Sequence, residues 1–248
     1  MIRVPPKTLL LIPVFNESAS LTPLLAEIRQ ALPDLPICLI DDCSTDDTRR
    51  VLREMNCDYL TLPCNLGVGG AMQTGFRYAF EQGYQYVIRL DGDGQHPPAE
   101  CARLIERMAK NDVDMVVGSR FLGETDYTGA WYRHTGIRVL AAALSLACRR
   151  RITDPTSGFQ MLNRAVMYYF AHQYPTDYPE PESLALLSRQ GYRCCEIPTA
   201  FRSRAHGTSS IQTWDTFFYL FKVGIALFVD RCRAADPRFE RKNVEDIP

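Results

Sequence analysis

Tyr86-Val87-Ile88-Arg89-Leu90-Asp91-Gly92-Asp93-Gly94-Gln95-His96-Pro97-Pro98 is an apolar run that stops at two carboxylates one residue apart. Val87, Ile88 and Leu90 give it the apolar, β-branched character of a buried strand, and Gly92, Gly94 and the two prolines end that strand at once. Side chains at i and i+2 of an extended chain share a face. Asp91 and Asp93 therefore address a single point, with Gly92 letting the backbone bend toward it. Two carboxylates so placed repel each other unless a cation sits between them, and hard oxygen ligands suit Mg²⁺ or Mn²⁺ better than zinc. The spacing predicts a divalent ion that bridges to a phosphorylated substrate. A solvated Asp-Gly turn is the competing account of the same residues, and the surrounding chain has to decide between the two.

Outward from this stretch, strand-like and helix-like segments alternate. Thr8 to Val14 reads as a buried strand, followed by a helical pattern over Ser20 to Leu32 with Ser18 or Ser20 as its cap. Ile37 to Ile40 makes a second strand, Thr45 to Met55 a helix, Tyr59 to Leu62 a third strand and Val68 to Gln82 a helix rich in small residues. After the opening strand come a helix from Pro98 to Lys110 and a fifth strand, Val113 to Val117. Such alternation implies parallel strands joined by crossovers, and in open sheets of that kind ligands lie at the carboxyl ends of the strands. PVFNE, DDCS, NLGVGG, DGDGQ and GSR each follow one of the five strands. Independent turns have no reason to share an edge, so the convergence favours the metal reading of Asp91 and Asp93.

The glycine-rich NLGVGGAMQTG lacks the GK[ST] ending of a phosphate loop and does not fit GxGxxG. It reads as a wall of a nucleotide pocket, Gly67 included. After Arg120 the alternation fails. A polar loop over Gly123 to Tyr132 leads to an apolar helix, Thr135 to Cys148, closed by Arg149-Arg150-Arg151, which fits a solvated helix end. The turn-rich Asp154 to Phe159, short helices over Asn163 to Phe170 and Ser183 to Gln190, and a strand over Cys194 to Phe201 follow.

A chain of 248 residues with 46% hydrophobic and 23% charged residues is globular, and a net charge of −1 offers no basic excess for nucleic-acid binding. The nine cysteines form no CxxC and no Cys/His cluster, which fits scattered reduced thiols and a cytoplasmic setting. The N-terminal apolar run is too short for a signal peptide. No stretch reaches the roughly 18–20 uninterrupted apolar residues of a membrane span. The nearest, Phe217 to Val229, carries Lys222 in its middle. Trp214 to Arg231 reads either as a buried or oligomer helix or as an interfacial one whose Lys222 and Arg231 snorkel.

PVFNE, DDCSTDDT, NLGVGGA, DGDGQ, GSRF, DPTSGF and RSRAHGTSS, in this order over roughly residues 8 to 230, resemble a family 2 glycosyltransferase of the GT-A type. The sub-group it looks like is the dolichol-phosphate-mannose synthase-like, polyprenyl-phosphate glycosyltransferases, bacterial members with a TDYPEPE segment among them. The resemblance implies an α/β fold, a Rossmann-like open and mostly parallel sheet flanked by helices. Its implied layout is a GT-A catalytic domain over 1–212, an amphipathic helix over 213–233 for which a membrane-interfacial place is one reading, and a flexible tail over 234–248.

The implied reaction is inverting transfer of a sugar from a nucleotide diphosphate sugar to a polyprenyl phosphate, at the inner face of the membrane, for cell-surface glycan assembly. The implied nucleoside contacts are Pro13, Asn16, Glu17, Asp41 and Asp42, with Asp42 at the base or ribose. Asp91, Asp93 and Gln95 match the metal and diphosphate positions, for Mg²⁺ or Mn²⁺. Arg120, Arg133 and Arg202 or Arg204 match the arginines that meet the acceptor phosphate, and Asp154 an acidic group near the acceptor. Gln160 follows Gly158-Phe159 where the family often has arginine, and this chain lacks the membrane helices of many relatives, which leaves room for a small integral-membrane partner or a homo-oligomer. Two other readings stay open: transfer to a sugar hydroxyl, with Asp154, Asp177, Glu180 or Glu182 as base, and a nucleotide-sugar-binding regulator without turnover.

Overall fold

A computed structural model of the chain describes residues 4–122, 131–202 and 235–241 and the single positions 224 and 247, with the helical backbone alone over 131–134. Seven strands, β1 (Thr8–Val14), β2 (Ile37–Asp41), β3 (Asp58–Thr61), β4 (Tyr86–Arg89), β5 (Met115–Ser119), β6 (Gln160–Asn163) and β7 (Cys194–Pro198), form one sheet in the order β3-β2-β1-β4-β6-β5-β7. Helices α1 (Ser18–Ala31), α2 (Thr48–Glu54), α3 (Gly67–Glu81), α4 (Cys101–Met108), α5 (Trp131–Cys148), α6 (Arg164–His172) and α7 (Pro179–Arg189) connect them. All neighbouring strands are parallel except at β6, which runs antiparallel to both β4 and β5. The carboxyl ends of β1 to β5 and of β7 therefore share one edge, and β6 begins there.

The strand residues explain why the sheet is covered on both sides. In β1, Leu9 and Leu11 enter one apolar cluster and Leu10, Ile12 and Val14 the other, and all are buried. A strand apolar on both faces demands a layer on each. The first cluster takes Ala71, Met72 and Phe76 of α3, Leu140 and Leu144 of α5, the body of α6, and Leu184 and Leu187 of α7. The second takes Leu21, Leu24 and Ile28 of α1, Leu52 of α2, and Leu104, Ile105 and Met108 of α4.

Differences from the sequence reading are local. Neither Ser18 nor Ser20 caps α1. The Ser18 hydroxyl donates to Asp46 at 2.7 Å and that of Ser20 to Glu17 at 2.7 Å, each drawn to a carboxylate instead of the free helix amides. β6 lies where only turns and a short helix were expected. Within the tail expected from 234, residues 235–241 make side-chain contacts with the fold. Phe239 is buried against Tyr168, Tyr169 and His172, and Arg241 donates from Nε to the buried Asp114 at 2.6 Å. A charged, proline-containing sequence hid one aromatic anchor and one ion pair. Among the described residues no helix is long and apolar enough to cross a membrane, and the amphipathic stretch 213–233 lies outside them apart from Gly224. The eight described cysteines are free.

Candidate active site

At the end of β4 the chain turns against the end of β1. A Cβ at Gly92 would lie 3.1 Å from the Pro13 carbonyl oxygen and 3.8 Å from Glu17 Cγ, so DGDG and PVFNE are in contact. Asp93 is buried, and its Oδ1 accepts from the Gln95 amide at 3.0 Å, closing a turn with Gly94 at φ +72°. Asp91 is half-buried, with Oδ1 accepting from Arg89 Nη2 at 3.3 Å and Oδ2 lying 3.9 Å from His96 Nε2. Burial by itself would raise the Asp91 pKa, but the charge of Arg89 outweighs it and holds the carboxyl below its usual range. His96 is buried between Phe159, stacked at 5.0 Å, and Phe201, edge-on at 4.7 Å. That burial pushes its imidazole down against the pull of Asp91 and Asp93. A neutral ring fits the 3.4 Å bond in which the Asp91 amide donates to its Nδ1.

The donor set suits a hard cation. Among the described residues no group of three His, Cys, Asp or Glu gathers as a structural metal site. Mg²⁺-type ions instead take one or two carboxylates and complete their shell with substrate phosphates and water, which is what Asp91 and Asp93 at an open sheet edge offer.

The second cluster is built where β5 and the start of β6 meet the same edge. Asp154 is fully buried and receives Arg120 in a two-point pair, Nε to Oδ2 and Nη2 to Oδ1, both 2.7 Å, with the Arg120 amide adding a third bond at 3.0 Å. Arg120 Nη2 also donates to the Thr156 hydroxyl at 2.6 Å, and its guanidinium lies 5.3 Å from the Phe201 ring centroid. Glu196 of β7 clamps the turn from behind, accepting from the Thr153 amide and hydroxyl and from the Asp154 amide. Such planar, two-point geometry is one that lysine does not reproduce. Gln95 joins this cluster to the first: its carbonyl accepts from the Arg202 amide at 2.9 Å, while the exposed Arg202 side chain pairs with Glu27 at 2.7 and 3.0 Å.

The third cluster lies at the ends of β1 and β2. Asn16, at φ 56°, accepts on Oδ1 from the Thr45 and Asp46 amides, tying the two strand-end loops together. Asp41 is fully buried, accepting from the Ser44 amide at 2.9 Å and from Arg49 at 3.1 Å. Asp42 accepts from the Leu66 amide at 2.7 Å and so fastens the start of α3, where Gly67 takes φ +74°. Burial pushes the Asp42 carboxyl above its usual range, against the amide bonds from Leu66 and Gly67.

Pro13, Asn16, Glu17, Asp41, Asp42, Gly67, Asp91, Asp93, Gln95, Arg120, Asp154 and Arg202 thus lie along one edge. The Arg133 side chain and Arg204 fall outside what the structure describes. Sequence reasoning passed over Arg89, His96, Gly158 and Glu196. Arg89 did carry a signal, a charged residue inside a strand otherwise read as buried, since arginine is almost never buried unpaired.

A mostly parallel sheet with helices on both faces and a paired-aspartate turn at its central carboxyl edge is the architecture of a GT-A-type glycosyltransferase. The glycosyl transferase family 2 model matches residues 10–170, and the chain belongs to that family. An undecaprenyl-phosphate mannosyltransferase of Micrococcus luteus is 35% identical over 222 residues, covering 83% of this chain and 88% of that protein. A polyprenol monophosphomannose synthase of Mycolicibacterium smegmatis is 26% identical over 223 residues, covering 87% and 79%. In fold, the chain is similar to glucosyl-3-phosphoglycerate synthase from Mycobacterium tuberculosis, solved with Mn²⁺, UDP and phosphoglyceric acid. The TM-score is 0.69 at 17% identity, over 93% of this chain and 80% of that one.

Proposed function

We propose that this glycosyltransferase moves a sugar, with inversion, from a nucleotide diphosphate sugar to a polyprenyl phosphate. The observation that carries the reading is the meeting of the paired carboxylates, Asp91 and Asp93, with the Arg120 cluster on one sheet edge, in a chain whose relatives are named for polyprenyl-phosphate mannosyl transfer.

Asp91, Asp93 and Gln95 would hold Mg²⁺ or Mn²⁺, which when bound neutralises charge on the departing diphosphate. Pro13, Asn16, Glu17, Asp41, Asp42 and Gly67 form the nucleoside side, where Asn16 and Asp42 fix the loops that shape it. A phosphate monoester, with a second pKa near about 6, is already largely dianionic at neutral pH and needs no base. It needs positioning and positive charge, which Arg120, Arg133, Arg202 and Arg204 supply on the acceptor side, with Asp154 orienting Arg120. Transfer to a sugar hydroxyl would need a free carboxylate base. Of the four carboxylates considered as base, Asp154 and Glu180 are each paired with an arginine. The apolar stretch 213–233, with Lys222 and Arg231, supports peripheral attachment at the inner membrane face or docking to a small membrane partner.

The test is transfer of radiolabelled sugar from UDP-, GDP- and dTDP-sugars to a short polyprenyl phosphate with Mg²⁺ or Mn²⁺. Label is expected to partition into organic solvent, and Asp91→Ala and Asp93→Ala each to lower the rate by on the order of 100-fold or more. Label that stays in water on an oligosaccharide acceptor overturns the lipid reading, and nucleotide-sugar binding with no transfer to any acceptor favours a regulator.

A further inference from the structure

Arg89 ends β4 fully buried, with Leu11 of β1 and Gln160 of β6 as its register partners across the sheet. Three groups reach its guanidinium. Nη2 donates to Glu180 Oε1 at 2.6 Å and to Asp91 Oδ1 at 3.3 Å, and Nη1 to the Tyr174 hydroxyl at 3.2 Å. Its Nε is buried with no partner. Arg150 shares that unpartnered Nε; what sets Arg89 apart is that its two Nη atoms are aimed at Asp91, Glu180 and Tyr174 at once.

The groups around it are held in turn. Tyr174 and Glu180 bracket the stretch that opens α7, and the backbone between them is pressed on α3. A Cβ at Gly69 would stand 2.4 Å from both the Pro175 and Thr176 carbonyl oxygens. On the other side, a Cβ at Gly158 would fall 2.6 Å from Asp91 Oδ2 and 2.9 Å from Arg89 Nη2. Asp91 is therefore confined by Arg89, by His96 and by the backbone of the turn before β6.

We infer that Arg89, braced by Glu180 and Tyr174, is a positioning residue that orients the Asp91 carboxylate toward the divalent ion and the donor diphosphate. The inference rests on the reading of Asp91 as a metal ligand. Arg89 also supplies positive charge to the two carboxylates it pairs with, Asp91 and Glu180, before any cation arrives. Its planar fork reaches two acceptors from one Nη and a third from the other, which an ammonium group does not match. Partners that orient a ligand carboxylate typically change metal affinity or activity by about 10–100-fold when altered.

The experiment uses the full chain and compares wild type with Arg89→Lys, Glu180→Gln and, as control, Arg77→Lys, an exposed arginine of α3 paired with Glu81. Mn²⁺ binding is titrated by electron paramagnetic resonance without nucleotide, and transfer kinetics and thermal midpoints are measured on the same preparations. Arg89→Lys and Glu180→Gln are expected to weaken Mn²⁺ binding about 10–100-fold. They should lower kcat by a like factor at fixed Mn²⁺, with donor KM at saturating Mn²⁺ moving less than about threefold. Glu180→Gln keeps shape and an acceptor oxygen, so it carries the test if Arg89→Lys fails to fold. Wild-type Mn²⁺ affinity in a folded Glu180→Gln protein, or a fall in thermal midpoint with unchanged affinity, overturns the inference. Absence of Mn²⁺ binding by the wild type overturns it as well. A wild type that binds Mn²⁺ yet moves no sugar onto polyprenyl phosphate overturns the acceptor reading and leaves the role of Arg89 standing.

Discussion

Gly158 has no room for a side chain, because the space a methyl would take is filled by the Asp91 carboxylate and the Arg89 guanidinium. Its φ lies outside the left-handed region, so the requirement is steric and not conformational. Gly158→Ala is expected to push Asp91 off its position and lower kcat on the order of 100-fold, since misplacement of a reacting group by about 1 Å has that effect. A wild-type kcat in a folded Gly158→Ala protein would show that Asp91 has slack. At this scale the sequence was legible for the carboxylates and opaque for what holds them. Asp91 and Asp93 stand out by their spacing after an apolar run. Arg89 has partners 85 and 91 residues away, and no local pattern announces Tyr174 or Glu180 as such.

Among the elements, the ones that sequence reading recovered are those whose identity is decided locally. β1 is a seven-residue apolar run buried on both faces, and α3 begins where a glycine cluster follows β3. β6 escaped notice because Gln160-Met161-Leu162-Asn163 is short and polar at both ends, and its strand character comes from pairing with β4 and β5. Its reversed direction brings the turn Asp154 to Gly158 to the same edge as the other loops. The contact of α3 with the stretch before α7 gives a test at this scale. Gly69→Ala would set a methyl 2.4 Å from two backbone oxygens that no rotamer change can move. It is expected to cost about 1–3 kcal/mol in stability, as overpacking does, and to lower Mn²⁺ affinity as Glu180 is displaced. Denaturant melts read the first and Mn²⁺ titration the second. Unchanged values for both would mean that the 175–176 backbone yields freely.

Over the whole molecule, the sheet separates the clusters proposed to meet substrate from one that serves stability. The open carboxyl edge carries the polar clusters. On the opposite edge, just before β5, buried Asp114 accepts from Arg241 and from Asn163, while Phe239 closes the cluster of Tyr168 and Tyr169. Phe239→Ala is expected to lose on the order of 3 kcal/mol, with kcat per folded molecule within about twofold of wild type. Equilibrium unfolding with activity titration of the folded fraction checks both, and a large loss of kcat in folded protein would mean that the two edges are coupled.

The Arg89 contacts bear on how such an enzyme can be re-engineered. Residues 69, 89, 91, 158, 174 and 180 come from four separate stretches yet fit as one piece. A donor loop transplanted from a relative into positions 174–182 brings its own partner for residue 89, or none. Chimaeras that exchange that loop alone should therefore be inactive, and those that carry positions 69, 89 and 158 along with it should recover turnover.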